Sequence, residues 1–231
     1  MPRTPPPIQY EQRLLVYADV LGWSNLVMES ENEEPKRSLI AQAVHWWRYP
    51  QGLYRIPGIA QETRCHFTLA SDSIFASVPA ESEYFRDLVI QVSSVLLRLL
   101  RKGIYVRGSI VAGSLLHDRE VVVGPAVVTA VGLERSTCYP RIAIHESVFR
   151  CLVADDEWVY RGADGVPTLD YIRFGRIGDD RGVATDAREI LKTIERKIAV
   201  DAPDARLLEK HQWMKAYLEH LAMLAEPATI S

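Results

Sequence analysis

Leu14-Leu15-Val16-Tyr17-Ala18-Asp19-Val20-Leu21-Gly22-Trp23-Ser24 is the segment from which the rest of the chain is best understood. Its apolar run reads as a buried strand ending on a carboxylate. Gly22 then permits a tight turn, and Trp23 to Ser30 is predicted helical. A carboxylate at the end of a strand can hold a hard cation. A glycine before a helix lets backbone N–H groups approach phosphate oxygens. Alone, the same arrangement serves equally well to cap a helix.

Outward from this strand, Pro35 is expected to break the chain before a second helix from Lys36 to Trp47. A strand at Cys65 to Leu69, a turn at Ala70 to Asp72 and a return strand at Ile74 to Val78 predict a β-hairpin with Asp72 at its tip. Between Glu81 and Lys102 the apolar residues Leu88, Val92, Val95, Leu96 and Leu99 recur at helical intervals, and Gly103 ends the helix. Ile104 to Val111 and Glu120 to Val123 predict a second hairpin. A helix from Pro125 to Arg135 and a strand from Pro140 to Ile144 follow. The order β-α-α-β-β-α-β-β-α-β predicts an α+β domain of ferredoxin-like character, with a mixed, mainly antiparallel sheet. Beyond it, Trp158 to Arg161 and Leu169 to Phe174 are expected to form a pair of strands. Helices are expected at Ala187 to Ile198 and Ala205 to Leu224, with Pro203 between them. Leu207, Leu208, Met214, Leu218 and Leu221 make an apolar stripe that favours core packing over docking on another subunit. The chain therefore divides into an N-terminal arm at 1–12, a catalytic domain at 13–150, and C-terminal strands and helices at 151–231, packed on the same domain or on a dimer partner.

The 231 residues carry a formal net charge of -3, which implies no global attraction to nucleic acid or anionic membrane. Cys65, Cys138 and Cys151 show neither zinc-type spacing nor a disulfide framework, so a cytoplasmic location is expected. Met1 to Pro7 lacks the apolar centre of a signal peptide, and Leu88 to Leu100 is too short and too polar to span a bilayer. No P-loop pattern occurs, and Gly175 to Gly182 reads as a surface turn rather than a phosphate loop. The glutamates between Glu29 and Glu34 read as a solvated face, and the six histidines show no convergent metal spacing.

Three elements concentrate the chemistry. They are Asp19 in its strand-turn-helix setting, Asp72 in Ala70-Ser71-Asp72-Ser73-Ile74, and Arg107 in Arg107-Gly108-Ser109-Ile110-Val111-Ala112-Gly113. A turn aspartate or a strand arginine is commonplace by itself. Two carboxylates crowded together have little structural use, because like charges repel.

Together, and in this order, the three resemble class III adenylate and guanylate cyclases over roughly Leu14 to Val148. Asp19 resembles the first metal motif of that family. Asp72 resembles the second, where the family usually has Gly-Asp. Arg107, six residues before Gly113, matches an arginine that contacts triphosphate. Gly124 to Ala130 resembles a later Gly-x-x-Val-Asn-x-Ala segment. The resemblance implies two divalent cations, Mn2+ or Mg2+, about 3.5–4 Å apart in each active site. Asp19 and Asp72 would bridge them, with the Val20 carbonyl as a further ligand. It also implies a triphosphate cradle from N–H groups at Gly22, Trp23 and Ser24 together with Arg107. A head-to-tail homodimer would assemble each active site from both subunits.

Departures from the family pattern narrow these expectations. The base-reading positions fall on Thr68, four residues before Asp72, and Val121, three before Gly124. Neither is a standard purine reader, and purine selection should weaken accordingly. The transition-state Asn and Arg positions fall on Val128 and Gly132, which cannot replace them; Arg101, Lys102 and Arg135 are available in sequence. A short chain with altered base readers resembles the Pycsar pyrimidine cyclases of bacterial antiphage defence. Leu133-Glu134-Arg135 and Pro140-Arg141-Ile142 also carry that likeness. The implied activity is Mn2+-dependent conversion of UTP, or alternatively CTP, to a cyclic nucleotide read by a separate effector. A purine cyclase and a catalytically inactive cyclase-homology module are the remaining alternatives.

Overall fold

The computed structural model describes residues 7–48, 65–118, 121–151, 158–175, 182–201 and 204–223. The first half comprises β1 (Glu11–Val20), α1 (Trp23–Ser30), α2 (Glu34–Arg48), β2 (His66–Ala70), β3 (Ser73–Pro79), α3 (Ser82–Arg101) and β4 (Val106–His117). Next come β5 (Val122–Val123), α4 (Pro125–Arg135), β6 (Ile142–Ile144) and α5 (Glu146–Cys151). The chain continues through β7 (Val159–Arg161), β8 (Pro167–Leu169), α6 (Tyr171–Phe174), α7 (Val183–Asp201) and α8 (Ala205–Ala222). The strands form one sheet of order β2-β3-β1-β4-β6-β8-β7, with β5 paired to β4. Every pairing is antiparallel except β4 with β6. The expected α+β class with a mixed, mainly antiparallel sheet is borne out.

β1 lies inside this sheet because both of its faces are apolar. Leu14, Val16, Ala18 and Val20 join a large core built with Leu88, Leu96, Leu97 and Leu99 of α3. Leu15 and Tyr17 point to the opposite side, where they meet Val111, Leu115, Ala126 and Ala130. The small residues of α4 allow close approach there, and Ser109 Oγ donates to the Ala130 carbonyl at 2.8 Å. α4 packs mainly on β4 and β1, with smaller contacts to β5 and β6.

Several boundaries differ from expectation for identifiable reasons. Pro35 does not precede α2 but sits in its first turn, where a missing N–H costs nothing. β4 continues to His117, well past Val111, so β5 shrinks to two residues and Val121 lies in the connection before it. Leu169 to Phe174 divides into the last residue of β8 and the short helix α6, because the Asp170 side chain accepts a hydrogen bond from Arg173 N and caps a helical turn. α5 was not anticipated. Met1 to Pro6 of the arm, Tyr49, Glu120, Pro203 and most of the Gly175 to Gly182 turn lie outside the described residues.

The C-terminal elements extend the same sheet and core. Met214, Tyr217, Leu218 and Leu221 of α8 are fully buried, whereas Leu207 of the stripe is exposed. Tyr217 Oη donates to Asp170 at 2.7 Å. Tyr105 Oη and Asp201 flank His211 at 2.7 and 2.8 Å. Among the described residues no helix is long and apolar enough to cross a membrane.

Candidate active site

Asp19 ends β1 directly opposite Ser73 on one neighbouring strand and Arg107 on the other. The β2–β3 turn closes over it, with Val20 N donating to the Asp72 carbonyl at 3.0 Å. Leu21 N donates to the Tyr105 carbonyl at 2.9 Å and fixes the exit from β1. The hairpin is tight: Ala70 pairs with Ser73, leaving Ser71 and Asp72 as the turn. Ser71 takes a left-handed conformation with φ 59, which normally favours glycine. Main-chain pairing thus brings Asp19, Asp72 and Arg107 to one end of the sheet.

The electrostatics of this corner are those of concentrated negative charge. Burial pushes the Asp19 carboxyl up to about 6; Asp72 and then Glu134 add to the effect, and Arg107 opposes it. Glu134, which the sequence reading quoted only within Leu133-Glu134-Arg135 and did not assign to the site, meets Arg107 here. Its carboxylate, only 3% exposed, accepts a short hydrogen bond from Arg107 Nε. Arg107 Nη1 donates to the Thr137 carbonyl at 3.2 Å. The missed signal was periodicity: Ala126, Ala130 and Glu134 recur every four residues on the buried stripe of α4. A carboxylate on such a stripe requires a cationic partner.

Gly22 caps α1 in the left-handed region, with φ 77 and no side-chain hydrogen bond to the first turn. Trp23 is buried in the core, so its main chain alone faces outward at this point, and Ser24 is exposed. The helix start carries no acidic residue to compete with an anion. Thr68 is half-buried on β2, and its hydroxyl lies 3.1 Å from His117 Nε2. Val121 is exposed in the turn before β5, where its N–H donates to Asp118. Val128 is 75% exposed on α4, and a side chain at Gly132 would meet open space. Neither position offers a polar group.

Among the described residues no group of three or more His, Cys, Asp or Glu side chains is placed to hold a metal ion. The pair Asp19 and Asp72 nevertheless matches the donor chemistry of Mg2+ or Mn2+. Such ions take hard oxygen ligands and are commonly held by one or two carboxylates, with phosphate and water completing the shell.

No family profile and no curated protein matches the chain. It is similar to several solved structures. The adenylyl cyclase CyaB from P. aeruginosa shares 12% identity, with a TM-score of 0.45 over 70% of this chain and 93% of that one. The monomeric guanylyl cyclase domain of the RhoGC fusion protein from Blastocladiella emersonii shares 13%, with a TM-score of 0.45 over 70% and 95%. An adenylate/guanylate cyclase/hydrolase from Silicibacter pomeroyi shares 16%, with a TM-score of 0.44 over 70% and 95%.

Proposed function

We propose that the chain is a metal-dependent nucleotidyl cyclase acting on a pyrimidine nucleoside triphosphate, with UTP favoured. The observation that carries this reading is the convergence of Asp19, Asp72 and Arg107 at one sheet end, next to an uncapped helix start. Their motifs are those for which the sequence resembles class III cyclases.

In this reading Asp19, Asp72 and the Val20 carbonyl hold the cations. Bound divalent ions would supply the charge that lowers the pKa of the ribose 3′-OH and neutralises the leaving pyrophosphate. Main-chain N–H groups at Gly22, Trp23 and Ser24 cradle the triphosphate. Arg107 contributes positive charge whose direction Glu134 and the Thr137 carbonyl fix. A head-to-tail homodimer assembles each site from both subunits. The cyclic product serves as a second messenger in antiphage defence, read by a separate effector.

The test is pyrophosphate release from UTP, CTP, ATP and GTP with Mn2+, compared side by side. UTP should turn over fastest, and Asp19→Ala or Asp72→Ala should abolish release. Four intact triphosphates in the presence of folded dimer and Mn2+ would sink the enzyme reading. A specific observation would then favour a nucleotide-binding module without turnover: α4 presents Val128 and Gly132 at the positions where the resemblance calls for Asn and Arg.

A further inference from the structure

The connection between α3 and β4 is gripped from behind by the two C-terminal helices. Arg101, the last residue of α3, pairs with Asp186 in the first turn of α7, a carboxylate only 1% exposed. Four residues on, the Tyr105 ring is buried, with Lys197 Nζ of α7 5.7 Å from its centroid. The Tyr105 hydroxyl lies 2.7 Å from Nδ1 of the buried His211 on α8. His211 Nε2 in turn lies 2.8 Å from Oδ2 of Asp201, the last residue of α7.

This chain of bonds closes in either protonation state of the imidazole. A carboxylate only accepts, so Nε2 donates to Asp201. In the neutral ring Nδ1 accepts from the Tyr105 hydroxyl; in the charged ring it donates to the Tyr105 oxygen. Burial, with the Asp201 charge, holds the Tyr105 hydroxyl well above the ordinary tyrosine range, so it keeps its proton. Phenylalanine at this position removes the bond in both states.

What the chain anchors is one end of the candidate site. The Tyr105 carbonyl accepts from Leu21 N at 2.9 Å, Val106 pairs with Val20, and Arg107 pairs with Asp19. Residues 105 to 107 thus meet residues 21 to 19 in turn. The first of these three contacts is made by a residue whose side chain is held from α8. The other two involve Val20, Asp19 and Arg107 of the proposed metal and triphosphate site. Gly22 follows Leu21 at once, and open space lies where its side chain would be. Leu21 before it and α1 after it therefore locate the turn.

We propose that Tyr105 is a positioning residue, through which His211 and Asp201 of the C-terminal helix pair set the exit of β1 and the main-chain donors that follow it. Its role toward triphosphate rests on the nucleotide-cyclising reading above; the mechanical coupling does not. α7 and α8 then shape the site, a use distinct from core packing and from docking on another subunit.

Amide hydrogen exchange, and Mn2+-dependent pyrophosphate release from UTP, test this on the full chain. The variants are Tyr105→Phe, Asp201→Ala, Asp201→Asn and Tyr217→Phe. Tyr217→Phe breaks another buried 2.7 Å bond from α8, to Asp170 beside β8, which β4 and β6 separate from β1. It controls for loss of stability alone. Tyr105→Phe should speed exchange of the Leu21 N–H by about tenfold. It should also raise the UTP KM several-fold with less effect on kcat, because a triphosphate cradle acts in ground and transition states alike. Asp201→Ala should move both readouts in the same direction to a smaller extent. Asp201→Asn, which keeps an acceptor for Nε2, and Tyr217→Phe should both stay near wild type. If Tyr105→Phe does not fold, the two Asp201 variants decide the matter. Equal Leu21 exchange in Tyr105→Phe and Tyr217→Phe, or faster exchange with an unchanged KM, overturns the proposal. Folded wild type that releases no pyrophosphate from any of the four triphosphates sinks the cyclase reading, and the exchange rates then still decide whether Tyr105 positions the β1 exit.

Discussion

The two faces of the central sheet are built from the same strands and do opposite work. One face packs Leu14, Val16, Ala18 and Val20 against α3, and the core there runs on through α6, α7 and α8. Among the described residues the other face packs a small cluster around Leu15 and Tyr17 against α4. Asp19, Arg107, Glu134 and the hydrogen-bonded chain from Arg13 through Ser77 and His117 to Thr68 lie on this thinner side. Stability is concentrated where the packing is thick. The open face can therefore hold crowded carboxylates and a buried arginine without unfolding the domain. The two roles alternate residue by residue along one strand, as side chains do in any extended segment.

Gly108 is the point at which both faces break together. A Cβ there would come within 2.1 Å of the Tyr17 carbonyl oxygen and 2.8 Å of Ala18 Cα. Both are backbone atoms that cannot step aside. Gly108→Ala is expected to prevent β1 and β4 from pairing, giving the largest loss of the series. Circular dichroism melts should show no cooperative transition.

Leu97→Ala separates the faces instead. Leu97 is fully buried in the thick core and remote from the polar side. Urea denaturation should report a loss of about 2–5 kcal/mol, with the UTP-to-CTP ratio of the folded fraction unchanged. A shift in that ratio would mean that the two faces are coupled.

Asp19→Asn inverts the pattern by removing function and adding stability. The folded-state pKa of about 6 lies above the ordinary value near 4, so folding takes up a proton at this group. Its favourable contribution is complete below pH of about 4 and is lost as pH rises through about 6. In EDTA at pH 7, Asp19→Asn should melt higher than wild type, and the difference should close near pH 4. Mn2+ should raise the wild-type melting temperature and leave that of the variant unchanged. An equal response in both would remove Asp19 from the metal site.

Ser71→Gly should have the smallest effect. Relief of the left-handed serine is offset by the greater unfolded-state freedom of glycine, leaving a gain of at most about 1 kcal/mol. Denaturant midpoints would measure it, and a loss of stability would mean that the serine side chain supports the turn.

What was legible in the sequence were features encoded by neighbours along the chain. Gly22 before Trp23 and Gly124 before Pro125 announce α1 and α4, and the spacing from Leu88 to Leu99 announces α3. Asp19 and Asp72 were readable because each sits beside its own turn signal. What escaped depends on register across the sheet. Nothing near His117 in sequence says that it lies between Ser77 and Thr68, and nothing near Arg107 says that Glu134 will meet it. Pro35 was misread because a proline looks the same before a helix and inside its first turn.

The pairing of β1 with β4 also sets the timing of assembly. Asp19 and Arg107 are opposite one another in the sheet yet roughly 90 residues apart along the chain. Helices such as α3 form from local contacts within microseconds. The β1–β4 ladder must wait for a long loop to close, and it joins the β2-β3-β1 strands to the β4-β6-β8-β7 strands. In refolding experiments, helical signal should therefore recover well before nucleotide binding does. A nascent chain would not bring Asp19 and Arg107 together until β4 had left the ribosome and found β1.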